Sequence, residues 1–276
     1  MLTAIEYIGR VGVGITSPRF FRADDGKVYV VKLQNNKLGL KVLVNELLAA
    51  KIGQFMNLPF PPSGIIEIGE SLLTDGAESA EYGVLPGRHF ASEYLEGAEY
   101  LGQHNLDKAS NTSEMAGVLL FDHMFHNPDR TYNKKNLLLR REEDRYVIYA
   151  IDNSHLFRSG KWTPRSLERL STRKRVYFRF IYAWLLRECL TAQDFLPYLA
   201  RVENLTDERI GGLVREIPYD WLPDENERQA LVEYIKVRRD MAEEIWQRLR
   251  KHIPQARGGR SWLSAADRGV CSVTGK

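Results

Sequence analysis

An α+β fold in two lobes, the first strand-rich with one helix and the second mainly helical, is what this chain of 276 residues predicts. Three observations point there. β-Branched and aromatic residues gather before residue 96, around a strong Asp25-Gly26 turn. Gly97 and Gly102 then loosen the chain. Beyond them apolar residues recur at helical spacing almost to the end, interrupted by one short strand pair.

In chain order, residues 22–33 (RADDGKVYVVKL) read as a β-hairpin, with Val28, Tyr29, Val30 and Val31 in its second strand. Residues 41–57 read as a helix, with Leu43, Leu47, Ala50 and Phe55 near one face; Leu58, Pro59, Pro61 and Pro62 stop it. Strands are expected at 63–68 and 89–94. Asn111, with Glu114 three residues on, is a capping pair for a helix running through Met115, Leu119, Phe121 and Phe125. Residues 136–139 and 146–151 form a strand pair around a solvated charged turn. Helices are expected over 165–190, 192–199, 207–216 and 224–252. The last opens on Asp224 and Glu227 and carries Leu231, Tyr234, Ile235, Met241, Ile245 and Leu249 along one side. Trp162, Trp184, Trp221 and Trp246 sit in apolar helical contexts and read as core. The implied division is 1–96, 97–253 and a loose tail over 254–276, without internal repeats.

Hydrophobic residues are 43% of the chain and charged ones 27%, a globular balance that can fill one large core or two. A net charge of only +3 creates no demand for a nucleic-acid or membrane partner. Cys189 and Cys271 cannot build a disulfide framework, which suits a reducing compartment. The N-terminus lacks a basic region followed by an apolar stretch, and no apolar run approaches the ~18 residues of a membrane span. The expectation is a cytoplasmic protein.

Four charged residues fall on informative elements. Lys32 ends the strand YVVKL, and Glu46 lies mid-helix in LVNELLAA beside the apolar stripe, where a carboxylate wants a cation. Lys32 is the nearest candidate; the two are expected to pair, with Lys32 facing the cleft between lobes. Such a pair orients a lysine on nucleotide phosphates. Asp129 stands in the polar turn of FDHMFHNPDRTYNKKNLLLR, between a helix and the strand residues 137–139. Asp152 lies 23 residues later, at the end of YVIYAID, where a carboxylate suits a hard cation bridging phosphate oxygens.

Protein kinases and their relatives share this order of elements, and the chain resembles the HipA-like kinase domain family over roughly residues 5–250. The segments GITSPRFFRADDGKVYVVKLQNN, LVNELLAAKIGQFMNLPFPP, NPDRTYNKKNLLL and IDNSHLF carry the likeness. The resemblance implies a two-lobed, protein-kinase-like fold that binds ATP and Mg²⁺ and transfers a phosphoryl group, most naturally to a protein serine or threonine. It implies Asp129 as catalytic base, Lys32 on the phosphates beside Glu46, and Asn136 and Asp152 as Mg²⁺ ligands. Gly14, Thr16 and Ser17 would cover the phosphates, and Glu93 to Leu95 would flank adenine. No membrane or direct nucleic-acid partner is implied. One departure is plain: kinases usually set four residues between the catalytic aspartate and the asparagine, whereas Asn133 leaves three and Asn136 six. Asn136 is preferred because it abuts the apolar strand, with Lys134 then available to phosphate or substrate and Arg130 bracing the turn.

Two other readings compete. A kinase-fold module that has lost catalysis would need only its surface. A divalent-metal hydrolase could use Asp122, His123, His126, Asp129 and Asp152, the two histidines sharing a helix face. The basic run of Arg169, Arg173, Lys174, Arg175 and Arg179 reads as a solvated helix face, or as a dock for an acidic partner or RNA.

Overall fold

Five strands close into a barrel in a computed structural model that describes residues 1–74 and 83–254. They are β1 (Leu2–Arg10), β2 (Arg19–Ala23), β3 (Val28–Lys32), β4 (Ser63–Ile68) and β5 (Gly87–Glu93), in the order β1-β2-β3-β5-β4. The Asp25-Gly26 hairpin joins β2 to β3, with Phe21 opposite Tyr29. β1 closes the barrel, antiparallel to β2 and parallel to β4. Sequence reading assigned β1 no strand, and its burial pattern explains why. Only Ala4 is fully buried, while Ile5 and Ile8 face solvent, so alternation gives little signal.

Phe21, Val31, Ile66, Ile68 and Ala91 fill the barrel. Helix α1 (Lys41–Met56) belongs to a different core: its Leu43, Leu47, Ile52 and Met56 pack with Phe121, Phe125, Leu199 and Trp246. A short second helix, α2 (Glu70–Thr74), joins the first 96 residues, where sequence had suggested one. β6 (Glu99–Tyr100), β7 (Leu137–Glu142) and β8 (Arg145–Ala150) form a three-stranded sheet.

The remaining helices are α3 (Met115–Met124), α4 (Asp129–Tyr132), α5 (Pro164–Ser171), α6 (Phe180–Trp184), α7 (Leu196–Glu203), α8 (Asp207–Arg215), α9 (Glu225–Asp240) and α10 (Ala242–Arg250). Several expectations are corrected here. Asn111 does not cap α3; its amide bonds the backbone of Ile148 and the side chain of Glu114, and a 3₁₀ turn precedes the helix. The expected helix over 165–190 breaks after Ser171 because other groups claim its backbone. Tyr177 N–H donates to His123 Nε2, while the Arg173 carbonyl accepts from Arg238 and His126. Regular structure resumes only at α6, followed by a π turn over Leu185–Cys189. The expected helix over 224–252 divides at Met241 (φ −92°, ψ 1°). Asp224 does cap α9, accepting from Asn226 N–H, but Glu227 pairs with Lys41 instead. Trp162, Trp221 and Trp246 are buried and Trp184 is half-buried. The expected tail beyond residue 254, with Cys271, lies outside the described residues. Among those described, no helix is long and apolar enough to cross a membrane.

Candidate active site

A cleft of about 460 Å³ opens where the barrel, α1 and the β7–β8 hairpin meet. That volume lies within the range of small-ligand sites. Gly14, Thr16, Lys32, Glu93, Leu95 and Asp152 all line it.

At its inner end Lys32 is buried, and its ammonium donates to three oxygens. These are Glu46 Oε1, Asp152 Oδ1 at 2.8 Å and Ser154 Oγ at 2.7 Å. The expected Lys32–Glu46 pair is therefore present. Glu46 also accepts from Asn153 N–H, which reaches both oxygens, so its carboxylate is fully engaged. Burial opposes the Lys32 charge, but Asp152 and Glu46 outweigh it and hold the lysine above its ordinary pKa. Burial likewise pushes Asp152 up, yet Lys32 and the Ser154 hydrogen bonds prevail and keep its carboxyl well below the usual range. Glu46 feels burial most strongly and is pushed up against the pull of Lys32. Asp152 sits at φ 58°, a left-handed conformation that costs a side-chain-bearing residue roughly 1–3 kcal/mol unless its surroundings enforce it. The enforcement is local: Ser154 donates from both backbone and hydroxyl to Oδ1. Oδ2 meets no donor among the described residues, so one carboxylate oxygen remains for a ligand of the cleft.

Helix α1 is held against this corner. Asn45 Nδ2 donates to the carbonyls of Ser154, Leu156 and Ser159, and its Oδ1 accepts from Trp162 Nε1. One buried amide thereby ties α1 to the segment that follows Asp152.

On the other side, Asn136 Nδ2 donates to Asp129 Oδ2 at 2.6 Å. Asn133 does not touch Asp129 with its side chain; its Nδ2 reaches Asn136 Oδ1 at 3.1 Å, and its Oδ1 accepts from Lys135 N–H. The two extra residues of this loop are absorbed by successive short turns, α4 and a 3₁₀ turn over Lys134–Asn136. Asn133 and Asn136 line the cleft, whereas Asp129 adjoins it through Asn136. His155 Nδ1 lies 3.8 Å from Asp129 Oδ2. Beneath the loop Arg130 is wholly buried, donating to both Asp122 oxygens, the Ile151 carbonyl and Asn153 Oδ1. It braces the loop, as expected.

Ser17 is the exception among the expected nucleotide contacts. It does not line the cleft, because it closes a turn at φ 48° with its N–H on the Gly14 carbonyl. Glu93 lines the cleft while pairing with Lys27 at 2.8 Å. The hydrolase reading is overturned by where its residues point. His123 donates to the Leu119 carbonyl and accepts from Tyr177 N–H; His126 bonds Tyr234 and Arg173, and lies beyond the end of α3. Asp122 is committed to Arg130, Asn127 and Tyr182. Among the described residues no three His, Cys, Asp or Glu side chains gather as a metal site. Ser154, Asn153, Asn45 and His155 escaped sequence reading. Their types are common in loops and helices alike; of the four only Asn153 lines the cleft, while Ser154 reaches Lys32, His155 lies near Asp129, and Asn45 meets that segment from α1.

Among solved structures, the Helicobacter pylori proinflammatory kinase CtkA is similar in fold, with a TM-score of 0.58 at 13% identity over 88% of this chain and 94% of that one. The structure of hydra Fam20 with sugar gives a TM-score of 0.47 at 12% identity, covering 91% and 88%. No curated protein matches the sequence. The profile of one family spans nearly the whole described chain, residues 4–251, and by that match the protein belongs to the HipA-like kinases.

Proposed function

We propose that this HipA-like kinase transfers the γ-phosphoryl group of ATP, with Mg²⁺, to the hydroxyl of a protein serine or threonine. The observation that carries the reading is the junction at Lys32, where an ammonium from β3 meets carboxylates from α1 and from the end of β8 inside a cleft. A fixed, charged lysine of this kind neutralises phosphate oxygens. Gly14 and Thr16 cover the phosphates, and Glu93 to Leu95 border the base. The unpartnered Asp152 Oδ2 and the Asn136 amide oxygen are hard ligands of the type Mg²⁺ takes. Bound there, Mg²⁺ would neutralise charge on the phosphate oxygens. Asp129, oriented by Asn136, takes the proton of the attacking hydroxyl.

The contact of Asn133 with Asn136 Oδ1 favours a second reading, a nucleotide- or partner-binding module without transfer, because it occupies part of the oxygen a metal would use. Nucleotide binding, which the kinase reading requires, is tested by thermal denaturation with and without millimolar MgATP. A ligand at a hundredfold excess over its Kd adds about 2.7 kcal/mol to the folded state. The expected result is a rise of several degrees in the midpoint; an unchanged midpoint in folded protein contradicts nucleotide binding.

A further inference from the structure

A second groove, of about 610 Å³, runs beside the cleft between residues 100–104 and α6, with Leu137 in its wall. It shares Tyr100 with the cleft. Leu137 directly follows Asn136, and Thr131, two residues beyond Asp129, donates its hydroxyl to the Arg179 carbonyl at 3.2 Å. The groove is therefore built on the loop that carries Asp129.

Its lining is open and mainly apolar, with Gln103 and His104 the polar side chains in it. Phe180 is 56% exposed and Tyr100 49%, above the buried Leu101 and Leu137. Phe180 is also held at φ 45°, a conformation a bulky side chain rarely adopts. Cations flank this surface. The Arg179 guanidinium lies 5.7 Å from the Tyr132 ring and the Lys135 ammonium 5.8 Å from the Tyr100 ring. Among the described residues neither Arg179 nor Lys135 pairs with a carboxylate, whereas Lys174 does, with Glu244 at 2.7 Å. Glu99 is the carboxylate on the facing strand β6.

We propose that this groove seats the phosphoryl acceptor, and that the acceptor is an extended peptide with an apolar side chain and flanking acidic residues. The inference rests on the kinase reading above and names the substrate class of that site. Apolar contact with Phe180 and Tyr100 supplies affinity, while Arg179 and Lys135 select charge, as complementary fields do at interfaces. A nucleic acid fits less well, because a net charge of +3 and an apolar floor do not match a polyanion.

The test uses two serine peptides with one apolar residue each, one flanked by Asp and Glu and the other by Lys and Arg. Initial rates of transfer from MgATP give the ratio of kcat/KM for the two within each protein, so a general loss of activity cancels. The wild type is expected to favour the acidic peptide at least tenfold. Arg179→Glu should collapse or invert that ratio, Arg179→Lys should retain it, and Phe180→Ala should raise KM for the acidic peptide. A wild-type preference for the basic peptide, or the same ratio in Arg179→Glu, overturns the proposal. So does labelling of neither peptide by a wild type that still labels protein in a cell lysate; the kinase reading then stands with an acceptor of another class, whereas no label in the lysate either, with MgATP still raising the melting midpoint, leaves a binding module without transfer. If MgATP leaves that midpoint unchanged, the kinase reading falls and takes this proposal with it.

Discussion

Lys32 meets Glu46 from α1 and Asp152 from the end of β8, so one side chain joins three parts of the chain. The two roles of that lysine, structural and chemical, can be pulled apart. Lys32→Met leaves Glu46 buried without its cation, and breaking a buried pair on one side costs roughly 3–5 kcal/mol. Adding Glu46→Gln removes the stranded charge and should recover a large part of that loss in a denaturant titration. Phosphoryl transfer should stay lost in both, since neither variant restores a cation to the phosphates. Recovery of activity in the double variant would show that Lys32 acts only through the fold. Lys32 and Glu46 were legible in sequence because a lysine ending an apolar strand and a carboxylate beside an apolar helical stripe each want a partner. Ser154 and His155 were not, since nothing about a serine or histidine in a loop says which way the backbone turns.

At the scale of elements, the loop of α4 and the following 3₁₀ turn shows how a departure in spacing is accommodated. Six residues separate Asp129 from Asn136, yet the two side chains meet, because the chain winds through two short turns between them. Asn136→Ala removes a candidate metal oxygen and the donor that orients Asp129. Transfer should fall by about 10²-fold or more, with a raised Mg²⁺ requirement. Asn133→Ala, which removes a contact to Asn136 and a turn hydrogen bond, should cost far less. A more severe effect at Asn133 would move the metal register to that residue. Most strands and helices could be anticipated from periodicity. The failure at 172–179 has a physical cause: Tyr177 and Arg173 make their backbone hydrogen bonds to His123, His126 and Arg238, all distant in sequence. No local pattern encodes those partners.

Across the whole molecule, the barrel keeps its own core while α1 shares the larger one, so buried histidines in the larger core bear on the stability of both halves. Burial depresses His123 to about 4 and His126 to about 3. In the His123 ring Nδ1 donates to the Leu119 carbonyl and Nε2 accepts from Tyr177 N–H, an arrangement that only the neutral form satisfies. A histidine depressed in the folded state binds its proton more readily in the unfolded chain, so acid favours unfolding. Their contribution is fully present above about pH 6.5 and is lost as pH falls toward 4 for His123 and toward 3 for His126, on the order of 3 kcal/mol for His123. Denaturation midpoints across that window should fall steeply, and His123→Gln should flatten the slope even if it lowers stability at pH 7. The central claim, that the Lys32 junction and the Asp129 loop together move a phosphoryl group, is tested most directly by label. γ-Labelled ATP and Mg²⁺ are incubated with a cell lysate and either wild type or Asp129→Asn. The account predicts labelled protein with wild type and a loss of about 10²–10⁴-fold with the variant, the range expected for removing a general base. Equal labelling by the two, or none by a wild type that MgATP stabilises, would contradict it.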